Sequence, residues 1–178
     1  MTSRLGLEQG VVRLVEYDDE WPTLFALERD RIMAAVRALG RDLRLEHVGS
    51  TAIPGMAAKP VLDMLAAPVG DDAPESLISV IESAGYEYRR LVSTPERRFF
   101  RRGEPRQYHL HLAPFEGREW RAHITFRDAL RADPMLAAEY ASLKRELASR
   151  HANDRESYIN GKSGFVARVL AGGSATTR

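Results

Sequence analysis

An α/β domain, strands and helices mixed in its first part and helices alone at its end, is what this 178-residue sequence predicts. Three observations carry that expectation. Short apolar runs bounded by glycine and proline recur as far as Ala113. After Gly117 the apolar residues switch to helical spacing. Hydrophobic residues make up 44% and charged residues 29%, with no cysteine, which describes one ordinary domain burying its own core without cross-links.

Each element follows from a local signal. Val11 to Glu16 predicts a short first strand. Asp18 or Asp19 can cap the next helix, Pro22 suits its first turn, and Leu24, Phe25, Ile32, Val36 and Leu39 recur along it up to Gly40. Leu43 to Val48 reads as a strand that runs into Gly49-Ser50-Thr51. After Pro54 and Gly55, a strand from Pro60 to Ala66 is apolar on both faces except at Asp63, the pattern of a buried central strand. Pro74 opens a helix to about Ala84, closed by Gly85. Tyr86 to Leu91, Arg97 to Arg102 and Gln107 to Ala113 predict further strands, the last two joined through Gly103-Glu104-Pro105. Helices follow over Trp120 to Arg131, from Pro134 through Leu147, and through Tyr158, Phe165, Val166, Val169 and Leu170. The expected domain spans residues 11–171, with 1–10 and 172–178 as flexible termini.

Charge excludes some functions. Twenty-six Lys and Arg against 25 Asp and Glu leave a net charge of +1, so duplex nucleic acid is an unlikely main partner. The arginines nevertheless crowd between Arg89 and Arg106, either as a solvated hairpin face or as an electropositive rim for phosphates. No apolar run reaches signal-peptide or membrane-spanning character, which predicts a soluble, cytoplasmic protein without a membrane partner.

Three constellations can do chemistry. Gly49 and Ser50 end one strand and Asp63 stands in the next. A glycine there lets backbone amides approach an anion, the serine adds a hydroxyl donor, and a carboxylate can hold a divalent cation bridging phosphates. Lys59 can pair with Asp63 or with a phosphate. The bland alternative is a buried acid satisfied by the amides around Gly49. Second, His109 and His111 alternate with Leu110 and Leu112, so both imidazoles share one strand face and can ligate a metal or polarise a phosphate oxygen. Third come Phe126-Arg127-Asp128, Arg131, Tyr140, Lys144, Tyr158 and Lys162, which by themselves read equally as surface charges and core aromatics.

Taken together, these strings resemble the GrpB family. The resemblance runs from about Val11 to Leu170 and rests on His47-Val48-Gly49-Ser50-Thr51-Ala52, Pro54-Gly55, Lys59-Pro60 with Asp63, and His109-Leu110-His111. Further along it rests on Phe126-Arg127-Asp128, Leu130-Arg131, Glu139-Tyr140-Ala141, Leu143-Lys144, Tyr158 and Lys162. The resemblance implies the nucleotidyltransferase superfamily and its polymerase-β-like fold, a mixed sheet flanked by helices. It further implies transfer of a nucleotide from a nucleoside triphosphate to the hydroxyl of a small acceptor, with Mg2+ or Mn2+ held by carboxylates. On that reading Asp63, His109 and His111 are the catalytic and metal residues. Gly49, Ser50, Thr51, Lys59, Arg127, Lys144 and Lys162 then contact the nucleotide or its phosphates. The chain departs from the superfamily at Leu65, where a second acid is expected, and offers His109 and His111 where a third usually lies. That departure implies the alternative of a noncatalytic nucleotide- or phosphate-binding module. Family members fused to dephospho-coenzyme A kinase make a kinase of coenzyme A synthesis the partner it suggests.

Overall fold

The computed structural model describes residues 5–70 and 72–173. Among these residues one five-stranded sheet carries six α-helices: α1 (Trp21–Arg37), α2 (Ile78–Ser83), α3 (Arg118–Ala132), α4 (Pro134–Arg150), α5 (Arg155–Asn160) and α6 (Ser163–Gly173). The strands are β1 (Leu43–Val48), β2 (Leu62–Pro68), β3 (Glu87–Tyr88), β4 (Arg98–Arg102) and β5 (Tyr108–Leu112), in the order β1-β2-β5-β4-β3. The pair β2–β5 is parallel and the other pairs are antiparallel, so the sheet is mixed and the last third is helical, as expected.

Strand alternation divides the core. Met64 and Ala66 of β2, Leu110 and Leu112 of β5, and Phe100 of β4 pack with Ile32 and Val36 of α1 and Val80 and Ile81 of α2. The opposite face carries Leu65 and Ala67 with Val48, Ala113 and Trp120, the last from α3. Asp63 shares this second face with Leu65, and in the parallel register it stands beside His109 while Leu65 stands beside His111. Asp63, His109 and His111 of β2 and β5 therefore share the face toward α3 and the helices beyond it. On the first face, buried Glu28 accepts hydrogen bonds from Arg31, Tyr86 and Arg102, tying α1 to the far side of the sheet.

Several local expectations need correction. Val11 to Glu16 is not a strand of the sheet: it crosses the body, meeting it through one bridge at Val15–Ala58, while Val12 packs against Leu147 and Tyr158. Of the expected flexible segment 1–10, residues 1–4 lie outside the described residues and residues 5–7 are packed on the body. Leu5 and Leu7 are buried, and Leu7 pairs with Arg106. The Tyr86–Leu91 run contributes only two paired residues, because the chain leaves the sheet in a 3-10 turn over Arg90–Val92. The single last helix is two, broken at Gly161, where an added Cβ would lie 2.5 Å from a Leu147 methyl. The helix α1 begins at Trp21 behind Glu20, and Asp18 accepts from the Glu20 amide rather than capping the helix directly. Within the expected flexible tail, Gly172 and Gly173 extend α6, and residues 174–178 lie outside the described residues.

Candidate active site

The sheet's second face and helices α3 to α6 enclose a cavity of about 580 Å³. Gly49, Ser50, Thr51, Lys59, Asp63, His109, His111, Lys144 and Lys162, nine residues expected at the site, all line it. Their positions in sequence span more than a hundred residues, and the parallel β2–β5 pairing is what brings the acid to the histidines.

Asp63 is the centre. Its Oδ1 accepts a hydrogen bond of 2.8 Å from His109 Nδ1 and faces His111 Nε2 at 3.8 Å. About a third of its side chain (32%) remains exposed to the cavity. Burial works against ionisation, but the two imidazoles outweigh it and hold the carboxyl well below the usual carboxylate range. Burial lowers both histidines, more than Asp63 raises them.

The ring protons can be assigned. Arg97 Nη1 lies 3.0 Å from His111 Nδ1, and a guanidinium can only donate. His111 Nδ1 therefore accepts, and its proton sits on Nε2, which faces Asp63. His109 donates from Nδ1, leaving its Nε2 as the lone-pair nitrogen. A histidine whose Nε2 carries the proton cannot ligate a metal through that atom. In this tautomer His111 Nε2 turns its N–H toward Asp63 at 3.8 Å, while His109 Nε2 and the Asp63 carboxylate keep lone pairs for a further partner. Among the described residues, no group of three or more His, Asp or Glu side chains is placed to hold a metal ion.

Gly49 has a local reason beyond anion binding. Its φ is +72° and ψ −172°, and an added Cβ would lie 2.7 Å from Asp63 Oδ2. The residue after β1 must be glycine for the acid to occupy its place. Ser50 hydrogen-bonds the Tyr140 hydroxyl, which burial pushes up to about 12. Thr51 is committed elsewhere, its hydroxyl 3.0 Å from His47 Nε2. His47 itself stacks on Phe25 of α1 on the far face, and burial lowers it to about 4.

Cations line the same cavity. Lys144 donates to the Ala57 carbonyl at 2.6 Å, and burial with neighbouring Lys162 lowers it to about 7. Lys59 falls to about 8 through burial and the charge of Lys162. Lys59 and Lys162 stand 5.3 and 4.5 Å from the Tyr158 ring centroid. Arg127 is the expected contact that the structure places elsewhere. Its guanidinium binds Glu46, Asp128 and the His47 carbonyl, pinning α3 to β1 outside the cavity.

Three lining residues carried no distinct sequence signal. Arg155 comes from the start of α5, His123 from α3 at 4.8 Å from the His111 ring, and Glu119 stands beside Arg97. The arginine stretch is mostly internal pairing: Arg89 and Arg101 meet Glu87, Arg98 meets Glu75 and Arg102 meets Glu28.

Residues 11–171 match the GrpB protein family, nearly the whole length. The chain belongs to that family. It is 38% identical over 172 residues to a UPF0157 protein of Pseudomonas aeruginosa, covering 94% of this chain and 69% of the relative. It is 33% identical to the glutamate-rich protein GrpB of Alkalihalophilus pseudofirmus, covering 93% of this chain and 98% of that one. The crystal structure of conserved protein GrpB from Enterococcus faecalis superposes with a TM-score of 0.79 at 30% identity, over 90% of this chain and 96% of that. The Cid1 poly(U) polymerase with bound MgGTP superposes with a TM-score of 0.53 at 10% identity, over 76% and 44%. That likeness shows a nucleotidyltransferase-type fold in this GrpB chain. No helix among the described residues is long and apolar enough to cross a membrane.

Proposed function

We propose that this GrpB protein binds a nucleoside triphosphate in the cavity and transfers its nucleotidyl group to the hydroxyl of a small acceptor. One observation carries the reading: three lysines converge on the cavity that also holds a single carboxylate flanked by two imidazoles. Burial lowers all three lysines, so their arrangement opposes folding until an anion fills the space between them. Phosphates satisfy that need, and the fold is one that handles nucleotides in the Cid1 polymerase.

In this reading Lys59, Lys144 and Lys162 hold the phosphates, while Ser50 and the glycine backbone at Gly49 position the reacting one. The acceptor oxygen attacks the α-phosphorus, the bond to pyrophosphate breaks, and His109 Nε2 takes the acceptor proton. Asp63, through His109 Nδ1, fixes the ring in the tautomer that can do so. The donor set suits one Mg2+ or Mn2+ held by Asp63 with phosphate oxygens, and such an ion would offset the charge developing on the leaving group. A second ion lacks a ligand, because Leu65 is fully buried against Val48 and Trp120.

Leu65 also supports a second reading, a noncatalytic module that binds a nucleotide or another phosphorylated cofactor. A dephospho-CoA kinase of Mycolicibacterium paratuberculosis is 32% identical over 83% of this chain, which spans 42% of that protein. On this reading the chain would assist such a kinase. Calorimetric titration of ATP, GTP, CTP and UTP with Mg2+ or Mn2+, beside Asp63→Ala, is the first test. Metal-dependent binding lost in the variant, with pyrophosphate released in an acceptor screen, supports transfer. Binding without turnover across the screen favours the module, and no nucleotide binding at millimolar concentration rejects both.

A further inference from the structure

A second group of cations involves this cavity: Arg155, Lys59 and Lys162 line it, and Arg106 lies close enough to act on Lys59. Arg106 is 9% exposed, and its Nε and Nη2 are buried with no hydrogen-bond partner among the described residues. Arg155, which lines the cavity, has its Nε in the same condition. Buried guanidinium N–H groups without acceptors cost stability, and native proteins leave few of them. These two arginines and the half-buried Lys59 and Lys162 repel one another: Arg155 acts on Arg106, Lys59 and Lys162, and Arg106 on Lys59. The acid that acts on them is Asp63, whose Oδ1 is already bonded to His109.

We propose that Arg106, Arg155, Lys59 and Lys162 form a subsite for the terminal phosphates of a polyphosphate, one that binds the anion without a metal ion. Four cations and three unpartnered N–H groups match a multiply charged group with several acceptor oxygens, and exceed what one carboxylate could satisfy. The guanidinium fork is the geometry that phosphate oxygens accept. The subsite deepens the nucleotide reading by fixing which end of the cavity takes the phosphate tail, and rests on that reading for the nucleoside alone. It orients the ligand with its last phosphates at α5 and its reacting phosphate at Asp63.

The test uses inorganic tripolyphosphate, titrated in EDTA into the whole protein, with Arg155→Gln and Lys162→Gln as variants and Arg29→Gln, on α1 away from the cavity, as control. Thermal melting of each variant establishes that it is folded. Removal of a charged donor at a phosphate weakens binding by roughly tenfold or more. The expected result is metal-free binding by the wild type, weakened about tenfold in Arg155→Gln or Lys162→Gln and kept in Arg29→Gln. No binding by the wild type, or equal binding by a folded Arg155→Gln and a folded Lys162→Gln, overturns the subsite. The two proposals separate cleanly. Tripolyphosphate binding without ATP binding keeps the subsite and sinks the nucleotide, whereas ATP binding without tripolyphosphate binding does the reverse.

Discussion

Gly49 is the residue at which one added carbon would do most damage. Its backbone lies in a region that side chains disfavour, and its missing Cβ leaves the space that Asp63 Oδ2 occupies. Gly49→Ala is expected to cost about 1–3 kcal/mol in backbone strain, and to push Asp63 off its bond to His109. Urea unfolding measures the first effect and loss of metal-dependent nucleotide binding the second; an unchanged midpoint would contradict the geometry. Lys144 makes a prediction in pH. Its folded value of about 7 lies below the ordinary 10.5, so between these limits the unfolded chain binds more protons than the folded one. Stability contributed at this site therefore rises with pH from about 7 toward 10.5, and is lowest below 7. Lys144→Met should flatten that rise in denaturation midpoints measured across the window, and an identical slope in the variant would refute it.

At the scale of elements, β2 serves two tasks on one face. Asp63 meets the cavity, and two residues on, Leu65 joins Val48, Ala67, Ala113 and Trp120 in an apolar cluster. The position at which the resemblance leads one to expect a second acid is here a packing contact between β2 and α3. An acid placed there would put an unpaired charge in that cluster. Leu65→Asp is expected to lower stability by several kcal/mol, on the order of 3 or more, and to add no metal affinity. Thermal unfolding and metal titration read the two outcomes. A stable variant that binds a second metal ion would show that the site tolerates two-metal chemistry. The cross-sheet ties divide similarly: Arg127 pins α3 to β1, and Glu28 gathers Arg31, Tyr86 and Arg102 behind the other face.

For the whole molecule, the cavity lies between the sheet and a helical wall, and its cations come from both sides. Lys59 precedes β2, while Lys144, Arg155 and Lys162 come from the helical third. An anion that bridges these walls binds the folded state alone, so it should raise the unfolding free energy. At a hundred times its Kd the gain is about 2.7 kcal/mol. ATP with Mg2+ should therefore raise the melting temperature in proportion to its logarithmic concentration. The rise should shrink in high salt, which weakens a charge-driven contact. A melting temperature indifferent to ATP up to millimolar would count against an anion between the walls.

The sequence alone established the mixed sheet followed by helices, the buried β2 with its single acid, and the shared face of His109 and His111. Each of these depends on residues close in sequence, whose periodicity fixes which face a side chain takes. The family likeness was also legible, because it lies in ordered motifs. Only the tertiary structure decided what the motifs touch. Val11 to Glu16 has the pattern of a strand, yet finds one bridge, since both neighbours of β2 are taken by β1 and β5. Arg127 stands in a family motif but faces Glu46 rather than the cavity, because its place on α3 turns it toward β1. Arg97 sets the proton on His111, and Arg155 reaches the lysines, through contacts between elements far apart in the chain. Such contacts depend on how strands pair and helices dock, and no local pattern encodes them.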